Sequence, residues 1–364
     1  MTFLTNKKVI FLTKTNWDYY LHPYRTLYAK ELANLDNNVF WINEPTKNPI
    51  KFLFCLFNKP RSKVRIFTPF LLTPTLLHLN WINSAILSLQ LFWICGSLNS
   101  NKTILWSVYC SHYNFIKRYP KSFKIYWPGD LFDIQKEREI ITAYDLVMPL
   151  SEKSVEEVNE FYSGKTFLST TGCDWELFDS ALTKNNAKER RAETKQKTIG
   201  YVGNISAFRL DFELISELLS KCKFYDFVFA GPIETDAETQ TWIARIKEYK
   251  NAKFVGEIPY QDVPNLIRNF DVGIIPYQLN SFNLGTNPNK FFEYSAMDVP
   301  CVSTDIPSLR KFLPQISIGH TSNEWANLIE KAFETCGADR KELRALAKFY
   351  SPKESLERID QLIA

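Results

Sequence analysis

The stretch Phe270–Asp305, FDVGIIPYQLNSFNLGTNPNKFFEYSAMDVPCVSTD, decides the reading of this chain. Val272 to Pro276 is a short apolar run bounded by turn formers and reads as a strand, as does Cys301 to Ser303. Between them a polar loop leads into a helix predicted to open at Asn287-Pro288, with Asn287 as N-cap and Pro288 at the first helical position. A helix start offers free backbone N–H groups and the positive end of a dipole, which suits an anion. Lys290 and Glu293 lie three apart, hence on one helical face. A cation beside that anion site and a carboxylate one turn along suit the pyrophosphate and the ribose hydroxyls of a nucleotide.

Working outward, the residues before this stretch alternate strand and helix patterns. TIGYVG, YDFVFAG, AKFVGEI and DVGIIPY read as strands; LDFELISELLSKC, AETQTWIARIKEY and YQDVPNLIRNF read as the helices between them. Such alternation predicts a parallel sheet with right-handed crossovers. The N-terminal half repeats the theme with VIFLT, VFWINE, TILWSVY, FKIYWP, DLVMPLS and KTFLST as buried strands. YRTLYAKELANL reads as a helix, and SEKSVEEVNEFYS as a helix capped by Ser151. Residues 183–197, TKNNAKERRAETKQK, are polar and charged and read as a linker. The predicted organisation is a first doubly wound domain over 1–182, the linker, a second over 198–345, and a terminal stretch, 346–364, whose helix packs back on the first domain. Two such α/β domains place ligands at the C-terminal edges of their strands.

With 364 residues, two domains of ordinary size are expected, and 45% hydrophobic residues supply two cores. The seven cysteines have no CxxC spacing, which points to a reducing compartment and away from a disulfide framework or a zinc site. MTFLTNKKVIFLTK lacks the apolar core and cleavage site of a signal peptide and reads as a first strand. The net charge of +4 hides an asymmetry: residues 1–125 carry 16 Lys and Arg against 4 Asp and Glu, the remainder 28 against 36. A basic N-terminal half suggests an anionic partner such as a membrane surface, a lipid phosphate or an acidic glycan; basic surface balanced by the acidic half is the plain alternative. Residues 66–101 contain no charged side chain, yet their prolines and polar residues interrupt any run long enough to span a bilayer. FLLTPTLLHLNW and AILSLQLFWI, beside the basic KNPIKFLFCLFNKPRSKVR, have the composition of a peripheral membrane contact; a buried core helix explains them equally well.

The segment NPNKFFEYSAMDVPCVSTDIP, from Asn287, resembles the donor-site motif of GT-B glycosyltransferases, and most closely that of bacterial family-four enzymes of the teichuronic-acid and capsule type, with their N-P-x-K-x-x-E-Y pattern. The resemblance covers most of the C-terminal half with clear landmarks and the N-terminal half loosely. It implies the GT-B fold: two Rossmann-like parallel-sheet domains facing a central cleft, the acceptor mainly on the first, the nucleotide sugar mainly on the second, and a C-terminal helix crossing back. It implies a glycosyltransferase moving a sugar from a nucleotide diphosphate, UDP first, to a glycan or lipid-linked acceptor in cell-surface polysaccharide synthesis, with retention at the anomeric carbon. The expected setting is the cytoplasm, with a peripheral place on the inner face of the membrane as an open alternative, and no nucleic-acid partner is expected.

On the donor side, Gly203 and Asn204 follow a strand where the backbone must turn tightly, and Arg209 comes shortly after. In the family a basic residue here meets the diphosphate. An ordinary turn with a solvated arginine is the alternative. Gly231 in FAGPI looks like the family's F-x-G-P step, and Ile258 in FVGEIPY stands where relatives read the base through backbone groups. Lys290 is the expected diphosphate contact, with Thr286 and Asn287 assisting; Glu293 matches the family's ribose-binding carboxylate, with Tyr294 beside it. Many retaining relatives carry another glutamate eight positions earlier, and here that position is Gly285, which puts the sugar contacts in question. A surface ion pair is the alternative for Lys290 and Glu293.

On the acceptor side, the loop TNWDYYLHPYR brings Asp18, His22 and Arg25 between the first strand and first helix, where the family's first loop carries acceptor contacts. Asp130 in YWPGDLFD stands after a strand as a hydroxyl ligand or weak base, or as a turn former. His112 follows another strand. Asp-x-Asp and a metal-ligand histidine pair are absent, so no metal or other cofactor is expected and Arg209 with Lys290 would neutralise the leaving diphosphate. Two other functions fit the architecture: a nucleotide-sugar epimerase, disfavoured by the shortage of acid/base clusters, and a non-catalytic glycan- or partner-binding protein, favoured by Gly285.

Overall fold

The computed structural model describes residues 2–13, 15–17, 23–48, 63–71, 81–128, 133–184, 196–334 and 337–364. They fall into two compact units, one of Met1–Thr170 with Ser355–Ala364, the other of Thr171–Glu354.

The first unit is built on seven strands: β1 (Lys8–Leu12), β2 (Asn38–Ile42), β3 (Arg65–Phe67), β4 (Thr103–Ser107), β5 (Phe123–Tyr126), β6 (Leu146–Val147) and β7 (Lys165–Thr166). All pair in parallel, in the order β3-β2-β1-β4-β5-β6-β7. Side chains alternate along each strand, so one sheet feeds two cores. Val9, Phe11, Val39, Trp41, Ile104 and Trp106 face one side; Ile10, Leu12, Phe40, Ile42 and Leu105 face the other. Phe11 stacks between Trp41 and Trp106, with ring centroids at 5.5 and 5.1 Å. Each such buried ring contributes on the order of 1.5–3 kcal/mol. All six predicted strands are present, and the three-residue β3 is an addition, too short for a period to show in sequence.

The terminal helix Pro352–Ile363 sets Leu356, Ile359 and Ile363 on one face, and all three are buried in the first of those cores. The Asp360 carboxylate accepts from the Leu4 N–H at 2.6 Å. The chain thus returns to its first unit, as the GT-B resemblance implies. Ser151 caps the helix Glu152–Asn159 by accepting from the Ser154 N–H, as its sequence predicts.

The second unit holds β8 (Thr198–Val202), β9 (Asp226–Ala230), β10 (Ala252–Gly256), β11 (Val272–Ile275), β12 (Cys301–Ser303) and β13 (Ile316–Ile318), again all parallel, in the order β10-β9-β8-β11-β12-β13. Both sheets therefore carry the doubly wound order of a Rossmann-like fold, reversing direction between β1 and β4 and between β8 and β11. The connecting helices are capped where the sequence offers a carboxylate or hydroxyl: Asp211 accepts from Leu214 N, Asp236 from Thr239 N, and Thr321 forms a capping box with Glu324.

Two boundaries differ from the sequence reading. The units divide after Thr170 rather than near 182, because Cys173 and Phe178, the latter on the helix Trp175–Lys184, are buried in the second unit's core. The second unit also runs to Glu354, since Ala347 and Tyr350 pack in it. A polar linker marks where few contacts are made, not where the core begins. Most of that linker, residues 185–195, lies outside the described residues.

Candidate active site

The β8/β11 reversal point gathers the donor-side residues. β8 ends at Val202, and Gly203 follows with φ of 146°, a region open to glycine and few others. Its N–H donates to Ala230 O at 2.8 Å, and the Gly231 N–H donates to Gly256 O at 2.8 Å. The ends of β8, β9 and β10 thus stay in register past the sheet. A Cβ on Gly203 would strike the Lys290 side chain, and one on Gly231, where φ is 135°, would strike Gly203 O. Gly231 is required by its close approach to backbone, and Gly203 by its positive φ.

From β11 the chain runs through Pro276 to Tyr277, whose ring is buried. Lys290 Nζ donates to Tyr277 Oη at 2.9 Å and lies over the Tyr201 ring at 5.2 Å. The Arg209 guanidinium stacks over Tyr277 at 5.1 Å and over Phe282 at 5.2 Å. Burial alone raises the Tyr277 phenol, but the charges of Lys290 and Arg209 more than offset this and hold it below the ordinary tyrosine value. Tyr201, buried beside it, is pushed well up, first by burial and then by the charge of Tyr277.

Arg209 is held there by backbone. Gln278 N donates to Arg209 O at 2.9 Å and Asp211 N to Pro276 O at 2.9 Å, so its loop pairs with the exit of β11. A short helix, Ser281–Leu284, closes over the loop. The wholly buried Asn283 donates to Arg209 O at 3.1 Å and to Gln278 O at 2.9 Å. Sequence reading took this helix for loop; its signal was Asn280, which caps it through Asn283 N.

The helix carrying Lys290 is Asn289–Ala296, so it begins one residue later than predicted. Pro288, at ψ of 116°, is extended and stands at the N-cap with no side-chain cap, and Asn287 is therefore not the cap. The Asn287 amide is buried with neither its oxygen nor its nitrogen hydrogen-bonded, while its carbonyl accepts from Thr171 Oγ1 at 3.2 Å. Thr286 is tied to Asn283 O through its hydroxyl at 2.8 Å, and its carbonyl accepts from Ser308 Oγ at 2.7 Å.

Glu293 stands one turn after Lys290 and is buried. Burial pushes its carboxyl up to about 7, with Lys290 and a hydrogen bond from Tyr260 acting the other way. This environment rules out the solvated ion pair. Tyr294 lies in the core, where its hydroxyl accepts from Val202 N at 3.2 Å and faces the carbonyls of Gly200 and Ile274. Asn204 donates to Glu234 at 3.0 Å, leaving its own oxygen without a partner. Ile258 is half-buried after β10.

On the acceptor side, two candidates each reach Tyr109, just past β4 in the first unit. Arg25, buried in the helix Pro23–Asn34, lies 3.4 Å from Tyr109 Oη. Ser107 Oγ, at the end of β4, donates to Tyr109 O at 2.9 Å and lies 3.1 Å from His112 Nδ1. Asp18, His22 and Asp130 lie outside the described residues. Tyr201, Tyr260, Tyr277 and Asn283 were not singled out in sequence; only Tyr277, directly beyond a strand at a reversal point, stood where ligands gather.

Comparison with known proteins bears on this arrangement. Residues 196–333 match the family model described as glycosyl transferases group 1. The chain is 26% identical over 190 residues to a protein of Bacillus subtilis strain 168 named as a teichuronic acid biosynthesis glycosyltransferase, TuaH. The match covers 52% of this chain and 45% of that protein, so the chain spans about half the length of the curated relative it matches. Among solved structures, HepE of Anabaena in complex with UDP and glucose matches with a TM-score of 0.67 at 15% identity, covering 98% of this chain and 99% of that one. A glycosyltransferase of Rickettsia africae matches with a TM-score of 0.71 at 15% identity, covering 98% of each chain. Residues 196–333 thus match a glycosyl transferases group 1 model, in a chain whose two units have the GT-B fold.

Proposed function

We propose that the protein is a glycosyltransferase that moves a sugar from a nucleoside diphosphate, UDP first, to a glycan or lipid-linked acceptor in cell-surface polysaccharide synthesis. The observation that carries this reading is the convergence of Lys290 and Arg209 on Tyr277, with Glu293 one helical turn further on. Two cations at the strand ends suit a diphosphate, and a buried carboxylate suits a ribose diol. The HepE structures with UDP-glucose and with UDP support a UDP-sugar donor. The similarity to TuaH supports a polysaccharide acceptor.

In this reading Arg209 and Lys290 stabilise the charge that develops on the departing diphosphate. Glu293 accepts hydrogen bonds from the ribose, and Gly203 and Gly231 let the backbone approach the donor. The acceptor hydroxyl attacks the face the diphosphate leaves, and its proton passes to the departing phosphate oxygen, so configuration is retained without a protein base. The five described cysteines are free thiols, which suits a cytoplasmic setting. Thermal-shift titration with UDP, GDP, CMP and dTDP tests the site. Stabilisation by UDP that is lost in Glu293→Ala supports it; no stabilisation by any nucleotide refutes it. Transfer from a UDP-sugar then separates an enzyme from a binding protein.

A further inference from the structure

The helix Trp81–Cys95 contains no charged residue and packs on the first unit. Its inner side buries Leu87 and Leu91 together with the polar Asn83 and Ser84. Gln90 ties it to the backbone of Phe70, accepting from its N–H at 3.1 Å and donating to its carbonyl at 2.6 Å. The outer side is wholly apolar. Ile82, Leu89 and Trp93 fall on one stripe of the helix with Phe92 at its flank, while Ile86 on the same stripe is half-buried against the core. Leu89 is 61% exposed, Phe92 59% and Trp93 81%. A helix apolar on both sides belongs in a core or against lipid, and soluble surfaces seldom collect large apolar side chains this way.

Basic residues border the C-terminal end of the stripe. Lys8 Nζ donates to Ser97 O at 3.0 Å, just past the last turn. The exposed Arg65 lies over the Phe40 ring at 5.4 Å, and Phe40 belongs to the core that the helix covers. Residues 1–125 as a whole carry an excess of twelve positive charges, 16 against 4.

We infer that the outer face of the helix Trp81–Cys95 is a docking surface for an anionic lipid bilayer, with Leu89, Phe92 and Trp93 entering the headgroup and acyl boundary and Lys8 and Arg65 meeting lipid phosphates. Fifteen residues of helix reach about 22 Å, short of the roughly 30 Å of a bilayer core, so the helix lies in the interface plane. None of the helices among the described residues is long and apolar enough to cross a membrane. Charge favours lipid over a second copy of the chain, because pairing two such faces would bring their basic borders together. The inference does not depend on the donor site.

The test is co-sedimentation of the full chain with vesicles of phosphatidylglycerol and phosphatidylcholine, against phosphatidylcholine alone. Wild type is expected to pellet with the anionic vesicles and to be released by salt, with Trp93 emission shifting to the blue; Trp93→Phe should remove most of that shift. Leu89→Gln/Phe92→Gln/Trp93→Gln should weaken binding by tenfold or more while UDP stabilisation stays unchanged; Trp93→Gln alone serves if the triple variant folds poorly. Wild type that ignores anionic vesicles, or variants that bind as well as wild type, would overturn the inference. So would a wild-type dimer in sedimentation velocity that the triple variant dissolves without any lipid binding.

Discussion

Lys290 Nζ donates to Tyr277 Oη at 2.9 Å, and the same phenol ring lies under the Arg209 guanidinium. One buried tyrosine therefore fixes the separation of the two cations assigned to the diphosphate. Lys290→Ala removes a charge-assisted contact worth about 1.5–3 kcal/mol, so UDP affinity should fall by roughly ten- to hundredfold. Tyr277→Phe keeps both cations but frees the ammonium, and a smaller, several-fold loss is expected. Isothermal titration with UDP checks both; equal losses in the two variants would contradict the ranking.

Gly203 reaches the same lysine from the other side. Alanine there meets the Lys290 side chain and must adopt a φ of 146°. Gly203→Ala should weaken UDP binding about as much as Lys290→Ala, at a stability cost of roughly 1–3 kcal/mol for the strained backbone. Chemical denaturation and UDP titration on one preparation separate the two effects.

Glu293 supplies a pH dependence. Its carboxyl is raised from an ordinary 4.5 to about 7 by burial. Between those values the folded state holds a proton that the unfolded state has released. Its contribution to stability is therefore present below about 4.5, falls as pH rises, and is lost above about 7. Glu293→Gln should flatten that part of the stability profile, by on the order of 1–3 kcal/mol across the window. A ribose diol donating to the ionised carboxylate favours deprotonation, so UDP affinity should rise through pH 7 in wild type and not in the glutamine variant. Denaturation and calorimetry at pH 5, 6, 7 and 8 read both slopes.

Asn283 carries the support behind Arg209. Asn283→Ala removes its bonds to Arg209 O and Gln278 O; Arg209 O keeps Gln278 N, while Gln278 O loses its donor. The expected cost is about 1–3 kcal/mol of stability. If Arg209 acts chiefly on the departing diphosphate, kcat should fall more than the affinity for UDP. A variant with lowered melting temperature and unchanged kcat would confine Asn283 to stability.

The sequence by itself determined the elements and their order. Apolar runs such as TIGYVG and DVGIIPY, broken by amphipathic helices, dictate parallel sheets, because strands joined by helical crossovers have no other economical pairing. It also marked Lys290 and Glu293 as neighbours, since a spacing of three fixes one face of any helix. Tertiary structure alone decided what surrounds them. Tyr277 and Arg209 are 68 positions apart and meet only because β8 and β11 lie side by side at the point where the sheet order reverses. The raised carboxyl of Glu293 likewise follows from burial against Tyr260 and the chain near Cys173, which no local pattern encodes. The uncharged run AILSLQLFWI left core helix and membrane contact equally open; packing alone showed which of its two apolar sides is covered. Periodicity reports which residues share a face, while contact between distant segments fixes whether that face meets protein, water or another surface.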